Sequence, residues 1–124
     1  MKKTIVIVDD EPGTTETLRD VFEDEGYAVE TAYDGHEGLS VLRRLSVRPC
    51  VVILDLLMPN LDGIGMFNAM KQDAALADLP VLITTSDPSK APSGVLIIKK
   101  PVDLGILIEN VRKCCGTPMR VTGS

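Results

Sequence analysis

Five short, β-branched apolar runs recur along the chain: Thr4–Val8, Ala28–Ala32, Val51–Leu54, Val81–Thr85 and Val95–Ile98. Longer stretches with helical spacing or turn residues separate them, so strands alternating with helices predict an α/β domain with a parallel sheet covered on both faces. The first, third and fifth runs are continuously apolar, the pattern expected of strands buried on both sides. Ala28-Val29-Glu30-Thr31-Ala32 is more polar and predicts an edge. The sheet centre is expected near the first and third runs.

Leu18, Val21 and Phe22 form one apolar helix face ahead of a stop at Gly26. Leu104, Leu107, Ile108 and Val111 repeat an i, i+3, i+4, i+7 pattern. Leu39, Leu42 and Leu45 mark a helix between the second and third strands. Met66, Phe67 and Met70 mark another after Gly63, with Gly65 weakening its first turn. The link from Ser86 to Gly94 holds two prolines, a glycine and no apolar face, which predicts a loop or at most one turn. A parallel crossover normally takes a dozen or more residues, so this short link is unusual.

At 124 residues the chain fits one domain. That domain is expected over residues 1–115, with 116–124 a disordered tail or the start of a linker. A net charge of −5, no Trp and only two Tyr and two Phe argue against direct nucleic-acid or membrane binding. The apolar run behind Met1-Lys2-Lys3 ends at Asp9-Asp10, too soon for a leader or a membrane span. Cys50, Cys114 and Cys115 are odd in number and two are adjacent, unlike a secreted disulfide framework. A reducing cytoplasm is the expected compartment, with Cys114 and Cys115 inert.

Ligands of open α/β sheets sit outside the carboxyl ends of the strands. Asp9 and Asp10 follow the first run and Asp55 follows the third, so three carboxylates are expected to converge there. Like charges a few ångströms apart resist joint ionisation, and a hard divalent cation such as Mg²⁺ relieves them. Thr85 ends the fourth run with a hydroxyl, and Lys100 follows the fifth with an ammonium. Together these are the parts for phosphoryl transfer to a carboxylate: Asp55 as nucleophile, Mg²⁺ and Lys100 neutralising charge, and Thr85 bonding a phosphoryl oxygen.

Asp9-Asp10-Glu11-Pro12, Asp55-Leu56-Leu57-Met58-Pro59 with Asp62-Gly63, Thr85, and Lys100-Pro101 resemble, in order and spacing, the receiver domain of two-component response regulators. The likeness runs from about Thr4 to Cys114. It implies a flavodoxin-like, doubly wound five-stranded sheet in the order 2-1-3-4-5, here with the fourth crossover helix shortened or absent. It also implies that Asp55 accepts a phosphoryl group from a phosphohistidine on a sensor histidine kinase or histidine phosphotransfer protein. Asp10, Asp55 and the backbone carbonyl of Leu57 would contact Mg²⁺ directly, and Asp9 through water. Thr85 would be the switch hydroxyl and Lys100 the phosphate-contacting lysine. A downstream effector protein or domain would read the switch, with a homodimer as an option.

Two departures from the family stand out. Ile97 occupies the position, three before the lysine, where the family usually carries an aromatic that couples to the switch hydroxyl. The proline-broken link shortens the face that commonly carries output. Leu57 and Asp87 flank the expected approach of hydrolytic water, and Leu57 cannot orient it, which predicts slow loss of phosphate. A degenerate receiver, acting as a phosphorylation-independent interaction module, is the main alternative. An aspartate-nucleophile hydrolase resembling haloacid dehalogenases would want a second aspartate where Leu57 stands. A flavin carrier would find its phosphate repelled by Asp9-Asp10-Glu11. Taken singly, Asp9-Asp10 could be a solvated turn, Lys100 an exposed charge, and Pro101 a turn residue with a cis peptide. His36 reads as a surface residue, and Met66 and Met70 as core.

Overall fold

The computed structural model describes residues 2–58 and 60–116. Pro59 and all but the first residue of the expected tail, 116–124, lie outside them. Among the described residues the elements run β1 (Thr4–Val8), α1 (Pro12–Asp24), β2 (Ala28–Ala32), α2 (Gly35–Arg44), β3 (Val51–Asp55), α3 (Gly63–Lys71), β4 (Val81–Thr85), β5 (Leu96–Lys99) and α4 (Leu104–Cys115). The strands form one parallel sheet in the order β2-β1-β3-β4-β5, as expected.

Local chemistry fixes the helix starts. Pro12 opens α1 with its φ already set for a helix. Asp34, Asp62 and Asp103 each cap a helix, their carboxylates accepting from the amides of Glu37 at 2.8 Å, Gly65 at 2.8 Å and Ile106 at 3.0 Å. The cap from Asp62 offsets the weak helix propensity of Gly65. Arg43 and Arg44 end α2 where its dipole favours cations.

Two apolar layers sandwich the sheet. Leu18 and Phe22 of α1 and Leu107 and Val111 of α4 close over Ile5, Ile7 and Ile53. Leu39 and Leu42 of α2 and Met66, Phe67 and Met70 of α3 cover Val6, Val52 and Leu54. Every residue of β1 and β3 is buried, which accounts for their unbroken apolar runs. His36 is exposed and Met66 and Met70 are core, both as expected.

β5 departs from expectation. Its unbroken apolar run predicts burial on both sides, yet on the outer edge, where the strand order places it, Leu96 is 47% exposed and Lys99 is exposed. The cause lies in the link before it, where a single 3-10 turn at Pro88–Lys90 stands in place of a covering helix. Its continuous hydrophobicity signalled a strand but said nothing of what covers it.

The cysteines give the second correction. Cys115 is not inert: it is disulfide-bonded to Cys50, joining the last turn of α4 to the entry of β3, while Cys114 is free. Sequence spacing missed the pair because the two partners are brought together only when α4 packs across the sheet. The Lys100–Pro101 peptide is cis.

Candidate functional site

β1 and β3 are adjacent and in register, Val8 facing Leu54, so the residues that follow them emerge side by side. Asp9, Asp10 and Asp55 thereby each place a carboxylate oxygen within 4.8 Å of the others. Asp9 is 3% and Asp55 5% exposed, and Asp10 is more open. The Asp9 carboxylate also accepts from the Glu11 amide at 3.0 Å, which tightens the turn out of β1.

Lys100 supplies the cation of the group. Its Nζ lies 3.2 Å from Asp55 Oδ1 and 3.4 Å from Asp9 Oδ2. Burial pushes the Asp55 carboxyl up to about 6, and the charges of Asp9 and Asp10 push the same way while Lys100 opposes them. Burial works against the charged form of Lys100, but Asp9 and Asp55 outweigh it and hold its ammonium above the usual lysine range. One ammonium between two buried carboxylates, with a third beside them, leaves the site short of positive charge. The donors are all hard oxygens, so they fit an ion of the Mg²⁺ class.

Thr85 is buried at the same end of the sheet, where β4 lies between β3 and β5. Its hydroxyl is occupied within its own loop, accepting from the Asp87 amide at 3.1 Å and donating to the Asp87 carbonyl at 3.4 Å. The Lys100 amide donates to the Thr85 carbonyl at 2.8 Å, tying the two loops together. Leu57 lies two residues beyond Asp55 with an exposed side chain, so its backbone is what it offers the site. The structure thus brings Asp9, Asp10, Asp55 and Lys100 into contact range, and holds Thr85 at the end of β4 and Leu57 in the loop after β3, at the same end of the sheet.

The sequence reading missed the residues that position the β3–α3 loop. The Gly35 amide donates to the Leu61 carbonyl at 2.8 Å, and Asn60 Nδ2 donates to Asp34 Oδ2 at 3.1 Å. Asn60 has φ 63°, a left-handed conformation that asparagine tolerates better than most residues. Gly63 approaches so closely that a Cβ there would lie 2.3 Å from the Asp55 carbonyl oxygen. The Asn-x-Asp-Gly text after β3 carried a signal for both.

The family model for the response regulator receiver domain matches residues 5–112. Response regulator MprA of Mycolicibacterium vanbaalenii is 38% identical over 89 residues, 72% of this chain and 37% of that protein. The chain therefore spans little more than a third of that relative. Among solved structures, the chemotaxis response regulator CheY4 of Vibrio cholerae superposes with a TM-score of 0.82 at 26% identity, over 92% of this chain and 99% of that one. The signal receiver domain of a signal transduction histidine kinase from Syntrophus aciditrophicus gives 0.80 at 28% identity, over 98% and 96%. No helix among the described residues is long and apolar enough to cross a membrane.

Proposed function

The chain belongs to the response regulator receiver domain family, and on that premise we propose that it is a phosphoacceptor switch charged at Asp55. The observation that carries this reading is the buried Asp55 carboxylate held by Lys100 at 3.2 Å beside Asp9 and Asp10. An Asp55 oxygen attacks phosphorus, the P–N bond of a phosphohistidine breaks, and the imidazole keeps the electron pair and takes up a proton. The donors would be a sensor histidine kinase or a histidine phosphotransfer protein.

Asp10, Asp55 and the Leu57 carbonyl would hold Mg²⁺ directly, with Asp9 reaching it through water. The ion supplies charge neutralisation for the transferring group. Lys100, 3.2 Å from Asp55 and 3.4 Å from Asp9, would add a second positive charge, and burial keeps competing water from Asp55. The acyl phosphate so formed offers acceptor oxygens that compete for the Thr85 hydroxyl against Asp87, which biases the β4 loop between two arrangements. A downstream effector protein or domain in the cytoplasm reads that bias.

Loss of the phosphate is expected to be slow. Leu57 offers no polar group to a water, and the Asp87 carboxylate is taken up by the Ser89 amide at 3.2 Å and by the Ser89 hydroxyl. A self-dephosphorylation half-life of seconds would contradict this.

A second reading, a receiver that works by protein contact alone, draws on the engaged Thr85 hydroxyl and the missing covering helix. Intact-protein mass spectrometry after incubation with acetyl phosphate and Mg²⁺ separates the two. The phosphoacceptor reading expects one phosphoryl adduct, lost in Asp55→Asn and with chelator. An unmodified protein that still binds Mg²⁺ would move the assignment to the contact module.

A further inference from the structure

The cysteine pair lies at the opposite end of the sheet from the carboxylates and has no part in the chemistry above. We propose that Cys50 and Cys115 are a reversible thiol–disulfide modification site that clamps the last turn of α4 to the entry of β3. The two residues are 65 apart in sequence and belong to different elements, so the bond forms only across the folded sheet. Closing it removes one proton and one electron from each thiol, and a peroxide-class oxidant takes up the two protons and two electrons as its O–O bond breaks to give two waters. A small dithiol returns them and is itself left as a disulfide.

Three features make the bond a site of modification rather than a requirement of the fold. First, the same turn is held without it: Lys3 Nζ donates to the Cys115 carbonyl, Tyr27 donates its hydroxyl to the Gly116 carbonyl at 3.1 Å, and Arg112 pairs with Glu25. Second, each sulfur has a place when reduced. Cys115 is buried in the same apolar cluster as Ile5, Leu107 and Val111, where a thiol packs as a small apolar group, and Cys50 Sγ lies 3.4 Å from the Thr4 carbonyl, to which its S–H can donate once reduced. Third, Cys50 is partly exposed, which gives a small oxidant or dithiol a way in. Cys114 is a bystander, its thiol pushed up by burial away from the reactive thiolate form.

The full chain, treated with hydrogen peroxide and then denatured in N-ethylmaleimide, is expected to take one label, on Cys114. After dithiothreitol under native conditions it should take three and still melt cooperatively. Reduction should speed hydrogen exchange at the α4 C-terminal amides by at least about tenfold while leaving β1 unchanged. Cys114→Ser should keep the whole response. Cys50→Ser should abolish it and show the fast exchange of the reduced state under both conditions. The proposal is overturned if peroxide leaves three free thiols, if Cys114 is found in the bond, or if the reduced protein loses its cooperative melt. None of these readouts depends on phosphate.

Discussion

The two halves of the sheet are built differently. β1 and β3 are buried along their whole length between two helical layers, and they carry the three carboxylates. β5 is a half-exposed edge, the link before it holding only the single turn that its two prolines predict, and its loop carries Lys100. The contrast shows where precision is needed. Carboxylates that repel one another stay within 4.8 Å only if the strands delivering them cannot shift, whereas a flexible lysine tolerates a looser base. The carboxylates sit on the buried half and their cation, Lys100, on the more open one.

Side-chain truncation on each half should have unequal effects. Leu54, just before Asp55, is fully buried, and Leu54→Ala should cost about 2–5 kcal/mol. Leu96→Ala on β5 should stay within about 0.5 kcal/mol. Urea melts of both variants decide it, and equal losses would mean that the edge is as tightly packed as the centre.

A smaller effect probes the loop that follows the rigid half. In Gly63→Ala the new methyl would meet the Asp55 carbonyl oxygen at 2.3 Å and the Leu56 Cα at 2.7 Å, both backbone atoms with little room to move. A loss of about 1–3 kcal/mol is expected, together with slower phosphoryl uptake from acetyl phosphate as Asp55 is displaced. Unchanged uptake at reduced stability would show that the acceptor is not held by this contact.

The comparison also marks what the sequence could show. Among the described residues, period and turn chemistry exposed the five strands, the four α-helices and the carboxylates, because each signal is local: an unbroken apolar run such as Val51–Leu54, or an aspartate directly after it. What stayed hidden was relational. The proline-broken link announced that no helix would follow β4, but which strand this uncovers depends on packing, as the Cys50–Cys115 bond depends on two elements meeting across the sheet. The Asn60–Asp34 contact joins two loops that no spacing rule connects.

The smallest effect is a gain, and it follows from crowding charge into the rigid half. The Asp55 carboxyl titrates near 3.8 when unperturbed and is pushed up to about 6 in the folded protein, chiefly by burial. Between those values the folded chain holds a proton that the unfolded chain has released, so raising the pH through this window favours unfolding. The cost is absent below about pH 4 and complete above about pH 6. In chelator, Asp55→Asn removes the titrating group while Lys100 keeps Asp9 as a partner. The variant should therefore be more stable than the parent by on the order of 1–2 kcal/mol at neutral pH, with the difference fading towards pH ~4. Saturating Mg²⁺ should narrow the difference from the other side, by stabilising the parent, which keeps its third carboxylate. A stability difference that ignores both pH and Mg²⁺ would mean that the Asp55 charge is not under strain, and that the rigid half owes its geometry to packing alone.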